Sequence, residues 1–459
     1  MSDIHRSSRG PKGRTGTGQA PRRRAKTPSA HGAQRRHGGQ GGRESGPATL
    51  RQLQITVLGA QGDGLARLDD GTAVHVAGAL PGETVSALVA GPRGQLQEIV
   101  TASADRTTPP CPHFGTCGGC AVQHLAEAPY LDWKAGLVRT ALERVGIAAP
   151  VAAATPAWGE GRRRASLHAR WQASALQLGF ARARSHELVE IDHCPVLSPA
   201  LNGQLAHLRA LAGALVPKDA RASIAVTQTL GGLDVDITGA GAVARFGRSG
   251  FERLVTAAQG LARLSFEGEP AVTPGQPQVR VGTAVVDLPP GAFLQATQAG
   301  EDVLAARVVA WSQGAKRIAD LFAGIGTFAL RLKAIAPVLA VESDKAAVAA
   351  LTRAANGLAG GHQLRAEARD LFRAPLAPLE LKGVDTVVID PPRAGAQAQC
   401  EQLARTPGVS RVVSVSCDPV SFARDAAILV AGGFRLTDLE AVDQFRHAPH
   451  VEIVARFQR

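Results

Sequence analysis

Cys417 ends the run VVSVSC, residues 412–417, and Asp418-Pro419 follow it directly. A thiol set where a strand stops and a helix begins has the surroundings of a nucleophile. The helix start is expected to lower its pKa, and the thiolate can form a transient covalent bond. The plainer alternative is a buried, inert cysteine. Acids mark further strand ends: Asp320 in RIADLFAGIGTFAL, ahead of Gly324-x-Gly326; Glu342 in VLAVES; Asp370 in EARDLF; and Asp390 in DTVVIDPPR. Glycines in a first strand–helix turn let a ligand approach the backbone, and ligands of such sheets sit at the carboxyl ends of the strands. For any one acid, Asp370 above all, a helix N-cap is the competing reading.

The series Asp320, Gly324, Gly326, Glu342, Asp370 and Asp390 fits S-adenosylmethionine (AdoMet) better than a dinucleotide. The spacing is Gly-x-Gly with no third glycine three residues on, and Glu342, sixteen residues after Gly326, can accept both hydroxyls of a ribose. AdoMet carries an adenosine and a sulfonium but no phosphate to be cradled. Asp390-Pro391-Pro392 is similar to the D/N-P-P of amino-methyltransferases, where an aromatic follows; here Arg393 follows, which turns the reading away from nitrogen. Carbon 5 of a pyrimidine such as uracil is an acceptor that needs a thiol, because it is too weak a nucleophile unaided. Thiolate addition at carbon 6 makes an enolate whose carbon 5 takes a methyl group; a base then removes the carbon-5 proton and the cysteine is eliminated.

A second set of thiols stands apart. Cys111-x5-Cys117-x2-Cys120 lies in a Gly-rich loop, CPHFGTCGGCAVQH, and Cys194 follows in IDHCPVLS. Four such ligands can hold tetrahedral zinc or a [4Fe–4S] cluster, and three clustered ligands with a distant fourth favour iron–sulfur over the paired C-x2-C of zinc. Cys400, in QAQCEQLA, is read as inert.

The elements that must position these groups follow from pattern. From about residue 291 onward, short apolar strands alternate with helices, which predicts a doubly wound parallel sheet, α/β in class, with the last two strands as an antiparallel hairpin at one end. Residues 51–107 show Gly-punctuated alternating strands, expected to form a small β-barrel. Residues 108–290 hold the cysteines, an amphipathic helix YLDWKAGLVRTALERV and mixed strands and helices, an α+β region. Arg162, Arg163, Arg164, Arg170, Arg182 and Arg184 lie there and are expected to meet RNA phosphates. The net charge is +12, yet residues 1–50 alone carry eleven Lys or Arg against Asp3 and Glu44, +9, with ten glycines. That segment reads as a disordered basic tail. No apolar run is long enough to span a membrane, and the basic residues at the N-terminus are followed by no apolar stretch of the kind a secretory signal has, so the cytoplasm is expected, where cysteines stay reduced.

DLFAGIGTFAL, DPPRAGA, SVSCDPVSFARD and HVEIVARF together resemble the RNA uracil-C5 (5-methyluridine) methyltransferase family, across most of residues 50–459. The run AGALPGETV resembles the TRAM domain, an OB-like RNA-binding module. The resemblance implies a class I (Rossmann-like) methyltransferase domain, with Cys417 as nucleophile and Glu452 as the base acting on carbon 5; His450 is the weaker candidate for that role. It implies cofactor contacts from Gln295, Phe322, Thr327, Glu342, Asp370 and Asp390. It also implies a [4Fe–4S] cluster on Cys111, Cys117, Cys120 and Cys194, as in the branch acting on 23S ribosomal RNA. Two departures are visible: Thr327 stands where many members have Asn, and Cys-Asp-Pro replaces the commoner Cys-Asn-Pro. The expected activity is therefore methylation of a uridine in structured RNA, 23S rRNA first, by a monomer. The competing readings are a tRNA uridine-C5 methyltransferase, methylation at another base atom, and an RNA-binding assembly factor without catalysis.

Overall fold

In the C-terminal region the strands form one eight-stranded sheet whose central members are buried on both faces. Its order is Leu364–Ala368, Val338–Glu342, Ile318–Leu321, Thr386–Ile389, Arg411–Ser416, Glu452–Gln458, Arg435–Asp443, Thr155–Pro156. The first five are mutually parallel; Glu452–Gln458 runs antiparallel to both of its neighbours. Ile318–Leu321 and Thr386–Ile389 are buried at every position, as befits strands covered by helices on both sides. The computed structural model describes residues 48–459. The basic tail therefore lies outside the described residues, except that Thr49 and Leu50 already belong to the first strand, Thr49–Gln54.

Two differences from the expected pattern bear on the site. The segment after Gly324 is a series of turns, helical only over Ala329–Leu332, because Gly324 and Gly326 both take positive φ and delay the helix. The sheet also recruits residues far upstream of 291. Helix Glu127–Glu143 packs Ala135, Val138 and Leu142 against Phe422, Ala426 and Leu429, and Thr155–Pro156 forms the edge strand beside Arg435–Asp443. The hairpin Gln278–Val281/Ala284–Asp287 joins the core on the other face.

Upstream, a seven-stranded sheet runs in the order Leu188–Glu190, Ala175–Ala181, Arg164–Gln172, Arg221–Thr229, Gly232–Thr238, Leu261–Phe266, Glu269–Val272, with helix Leu205–Leu215 on its core face. Residues 49–101 form a six-stranded sheet with its own core of Leu53, Ile55, Val74, Val76, Val85 and Ala87. In its strand Thr84–Ala90, buried and half-buried positions alternate, the period of a sheet with one dry face. Glu83, fully buried in the GET turn, is ion-paired with Arg106 at 2.6 Å, tying that sheet to the segment that leads to the cysteines.

Candidate active site

Parallel strands bring their carboxyl ends to one edge, so the residues that close them meet. Glu342 ends its strand, Asp390 follows Ile389 and Cys417 follows Ser416. The antiparallel neighbour supplies the fourth group. In that ladder Arg411 faces Gln458 and Ser416 faces Ile453, so the register places Glu452 opposite Cys417. Glu452 is 2 % exposed; Cys417 is partly exposed.

A chain of amides links the acids. Gln444 Nε2 donates to Glu452 Oε1 at 3.0 Å and to Gln295 Oε1 at 2.6 Å, and Gln295 Nε2 donates to Asp390 Oδ2 at 3.3 Å. Gln444 Oε1 accepts from Ala296 N–H at 2.8 Å, which fixes the amide's orientation. Burial pushes Asp390 up to about 7. Burial, then the Asp390 charge, pushes Glu452 up to about 8. Cys417 rises to about 12, through desolvation first and then Glu452 and Asp390, with the Arg393 charge pulling the other way. The expected lowering by the helix start does not occur. Asp418 is the N-cap of helix Pro419–Ala431 and its Oδ1 takes the Val420 and Ser421 N–H groups, so those donors do not serve the sulfur. An acidic, desolvated pocket outweighs what remains of the dipole.

The cofactor turn is shaped for a ligand. Phe322 is left-handed at φ 62, a conformation costly for a bulky residue and held here with its ring 5.4 Å from Phe372. A Cβ on Gly324 would meet nothing within 4 Å, so the backbone there faces open space, whereas one on Gly326 would overlap Leu351 and Leu330. Asp320 is fully buried and neither carboxylate oxygen has a hydrogen-bond partner. Burial, with Asp390 and Glu342 adding repulsion, raises its pKa far above the carboxylate range. Glu342 Oε2 accepts from Gly324 N–H at 3.0 Å, and Oε1 accepts from Ser343 Oγ and Asp344 N–H, both at 2.8 Å. An unpartnered buried acid, an open glycine turn and a fixed carboxylate together fit a cationic, ribose-bearing ligand such as AdoMet.

Asp370 caps a turn, its Oδ1 accepting from Phe372 N–H at 2.9 Å, the local role that competed with a ligand contact. Thr327 lies in the glycine turn, largely buried, with its carbonyl accepting from Arg331 at 2.6 Å. His450 has both ring nitrogens within 3.3 Å of Arg393 Nη2, and desolvation and that cation hold its pKa down at about 4, a poor base beside Glu452.

The arginine series divides. Arg163 is buried and donates to Glu301 at 2.5 Å, Gln298 at 2.6 Å and Gln295 O at 3.0 Å; it holds elements together and is not offered to phosphate. Arg184 pairs with Asp63 at 2.8 Å, and Arg182 with Glu187 at 3.0 Å. Arg164 stacks over Phe293, 4.5 Å from the ring centroid, and is close enough to Glu452 and Cys417 to feel both charges. The sequence reading missed Gln444 and this placement of Arg164. The one local signal was a polar pair, Asp443-Gln444, directly after the apolar Ala441-Val442 at the end of the strand Arg435–Asp443.

Cys111, Cys117, Cys120 and Cys194 line one cavity of about 290 Å³, with Arg162 on its wall. Burial pushes Cys120 up to about 11, and the three other thiols add to the rise. Among the described residues, no group of three or more His, Cys, Asp or Glu is placed to hold a single metal ion. The loop pairs with the central sheet, Gly118 N–H donating to Ala181 O at 2.9 Å and Ala183 N–H to Thr116 O at 3.1 Å.

Comparison with known proteins agrees with this geometry. A family model described as tRNA (uracil-5-)-methyltransferase matches residues 291–458. A protein of Agrobacterium fabrum named as an uncharacterized RNA methyltransferase is 45% identical over 417 residues, covering 90% of this chain and 100% of its own. A 23S rRNA (uracil(1939)-C(5))-methyltransferase of Halomonas elongata is 37% identical, covering 89% of this chain and 90% of its own. A solved structure of the Pyrococcus abyssi tRNA (uracil-54, C5)-methyltransferase with S-adenosyl-L-homocysteine superposes with a TM-score of 0.67 at 22% identity, covering 88% and 99% of the two chains, a likeness of fold. Since relatives of this identity align along nearly the whole described chain, and the family model spans the strands that carry Cys417 and Glu452, the chain belongs to the RNA (uracil-C5)-methyltransferase family of AdoMet-dependent enzymes.

Proposed function

We propose that the protein methylates carbon 5 of one uridine in 23S rRNA through a covalent adduct between Cys417 and carbon 6 of the base. The observation that carries this reading is the register that sets Cys417 opposite Glu452, beside Asp390 and the open glycine turn. AdoMet would be held by Asp320, Glu342, Asp390 and the Phe322–Gly324 turn, with Gln295, Thr327 and Asp370 as further contacts; it would supply the methyl group as an electrophile, the sulfonium S–CH3 bond breaking to leave a neutral thioether. The base is flipped from its stack to reach the strand ends. The Cys417 thiolate bonds to carbon 6, and the electrons of the 5,6 double bond move onto O4 as an enolate. Carbon 5 takes up the methyl group. Glu452, deprotonated and aimed by Gln444, then removes the carbon-5 proton. The 5,6 double bond re-forms and Cys417 leaves as thiolate. Arg393 favours the thiolate; a cation bound among Asp320 and Asp390 acts in the same direction.

Residues 51–107 are assigned to a TRAM-like, OB-like barrel that carries RNA, and residues 108–290 to the part that binds the cluster and RNA. The enzyme acts as a cytoplasmic monomer. The group assigned to Cys111, Cys117, Cys120 and Cys194 is a [4Fe–4S] cluster; the four thiols line one cavity, an all-thiol donor set that such a cluster takes. Its role is to pin the cysteine loop to the central sheet. Iron and acid-labile sulfide, measured on anaerobically purified protein, are expected at about four each per chain; zinc without sulfide overturns the assignment.

The test of the mechanism is incubation with AdoMet and RNA carrying 5-fluorouridine, which cannot lose its carbon-5 substituent. A denaturing gel should show a covalent band that Cys417→Ser abolishes, with turnover on ordinary RNA falling about 10⁴-fold or more. Methylation by Cys417→Ser at the wild-type rate removes the nucleophile. Mapping 5-methyluridine in total RNA with and without the gene separates 23S rRNA from tRNA, the substrate class named for the matching family model and the Pyrococcus structure.

A further inference from the structure

The segment Gln444–Val451 joins the last two strands and carries both Gln444 and the approach to Glu452; Gln295 and Ala296 hold the Gln444 amide, and residues from the N-terminal half of the chain hold much of the rest. Lys134, fully buried on helix Glu127–Glu143, pairs with Asp443 at 2.8 Å and also donates to the carbonyls of Phe445, at 3.2 Å, and His450. Tyr130, one turn earlier, donates to Asp443 Oδ2 at 2.7 Å and accepts the His447 N–H at 2.8 Å. Trp158 Nε1 adds a further bond to Asp443, at 2.8 Å. The cysteine loop completes the frame: Ala121 and Val122 N–H donate to His447 O at 2.8 and 3.0 Å, and the His447 ring is 3.0 Å from Val122 O. His447 is itself left-handed at φ 65, a conformation that persists where the surroundings impose it.

A fully buried lysine–aspartate pair is a costly way to hold a loop when apolar contacts would serve. What it gives is direction: besides their mutual bond, Lys134 donates to the carbonyls of Phe445 and His450 and Asp443 accepts from Phe445 N–H, all on the segment between Gln444 and Glu452. We propose that Tyr130, Lys134 and Asp443 are positioning residues that set the Gln444–Glu452 geometry, so that the N-terminal half of the chain acts in the proton-removal step and not only in RNA binding. This rests on the reading of Glu452 as the base.

Two variants test it. Lys134→Met/Asp443→Asn removes both charges together and leaves neither buried alone; Tyr130→Phe removes one hydroxyl from an otherwise unchanged ring. In both, kcat on ordinary RNA should fall, up to ~100-fold for the paired variant, as expected for misplacement of a catalytic group, while KM for RNA stays put. The diagnostic is the intermediate. The variants should accumulate the methylated covalent adduct on ordinary uridine, as Glu452→Gln does, and should form the 5-fluorouridine adduct at the wild-type rate, since that step precedes proton removal. Wild-type turnover, or parallel loss of the 5-fluorouridine adduct and of kcat, overturns the proposal. If Glu452→Gln itself accumulates no adduct, the assignment of the base fails first, and that result is separate from the behaviour of the two variants.

Discussion

Glu452 and Asp390 are acids whose protons the folded protein holds more tightly than the unfolded chain does. Each therefore contributes stability that is fully present below its unfolded pKa, 4.5 or 3.8, and is lost as pH rises through about 8 or about 7. In the ligand-free protein, Glu452→Gln should raise the melting temperature near pH 8 and leave it almost unchanged near pH 4.5, by calorimetry. A lower melting temperature at the higher pH would show that Gln444 stabilises the carboxylate more than burial opposes it. Under the proposed mechanism activity runs the opposite way, because both Cys417 and Glu452 must be deprotonated. We expect kcat/KM, which reports the free enzyme, to climb with pH through about 8, and kcat to level off earlier, once a cation occupies the site. A profile flat from neutral to alkaline pH contradicts this ordering.

The groups that could be read from local pattern are those that the fold sets at strand ends. Asp320, Glu342, Asp390 and Cys417 were legible because a parallel sheet gathers the carboxyl ends of its strands whatever their neighbours are. Glu452 was legible through the family motif alone; on pattern it is one acid in a strand, and only the pairing of Ser416 with Ile453 sets it opposite the thiol. Gln444 and Lys134 were not legible, since their roles depend on contacts between residues more than three hundred positions apart in the case of Lys134. Arg163 misled because composition gives charge but not burial. Replacing it by Met should cost about 3–5 kcal/mol, leaving Glu301 with one guanidinium, Arg331, in place of two. Chemical denaturation measures this; a loss below 1 kcal/mol would make Arg163 a surface residue in energetic terms. At the cofactor turn, Gly326→Ala adds strain at φ 97 and an overlap with Leu351, and should weaken AdoMet binding in titration calorimetry while leaving RNA binding intact.

At the scale of the whole molecule, the family model covers residues 291–458, but the core that supports them does not stop there. Helix Glu127–Glu143 buries its apolar face on the last helix of the sheet, and the hairpin near residues 278–287 fills the other side. Expressed alone, residues 291–459 should be insoluble or molten, with exposed apolar surface that binds a hydrophobic dye; a cooperative melt from that fragment would show that the upstream elements are ornamental. The edge strand has a consequence for how the chain is made. Thr155 is bonded to Glu440, 285 positions later, so the ribosome releases one partner long before it makes the other. Until the strand Arg435–Asp443 has been made, that edge has no partner to pair with. The two-residue length of Thr155–Pro156, and a proline with no N–H to offer, keep that waiting edge from capturing a neighbouring nascent chain.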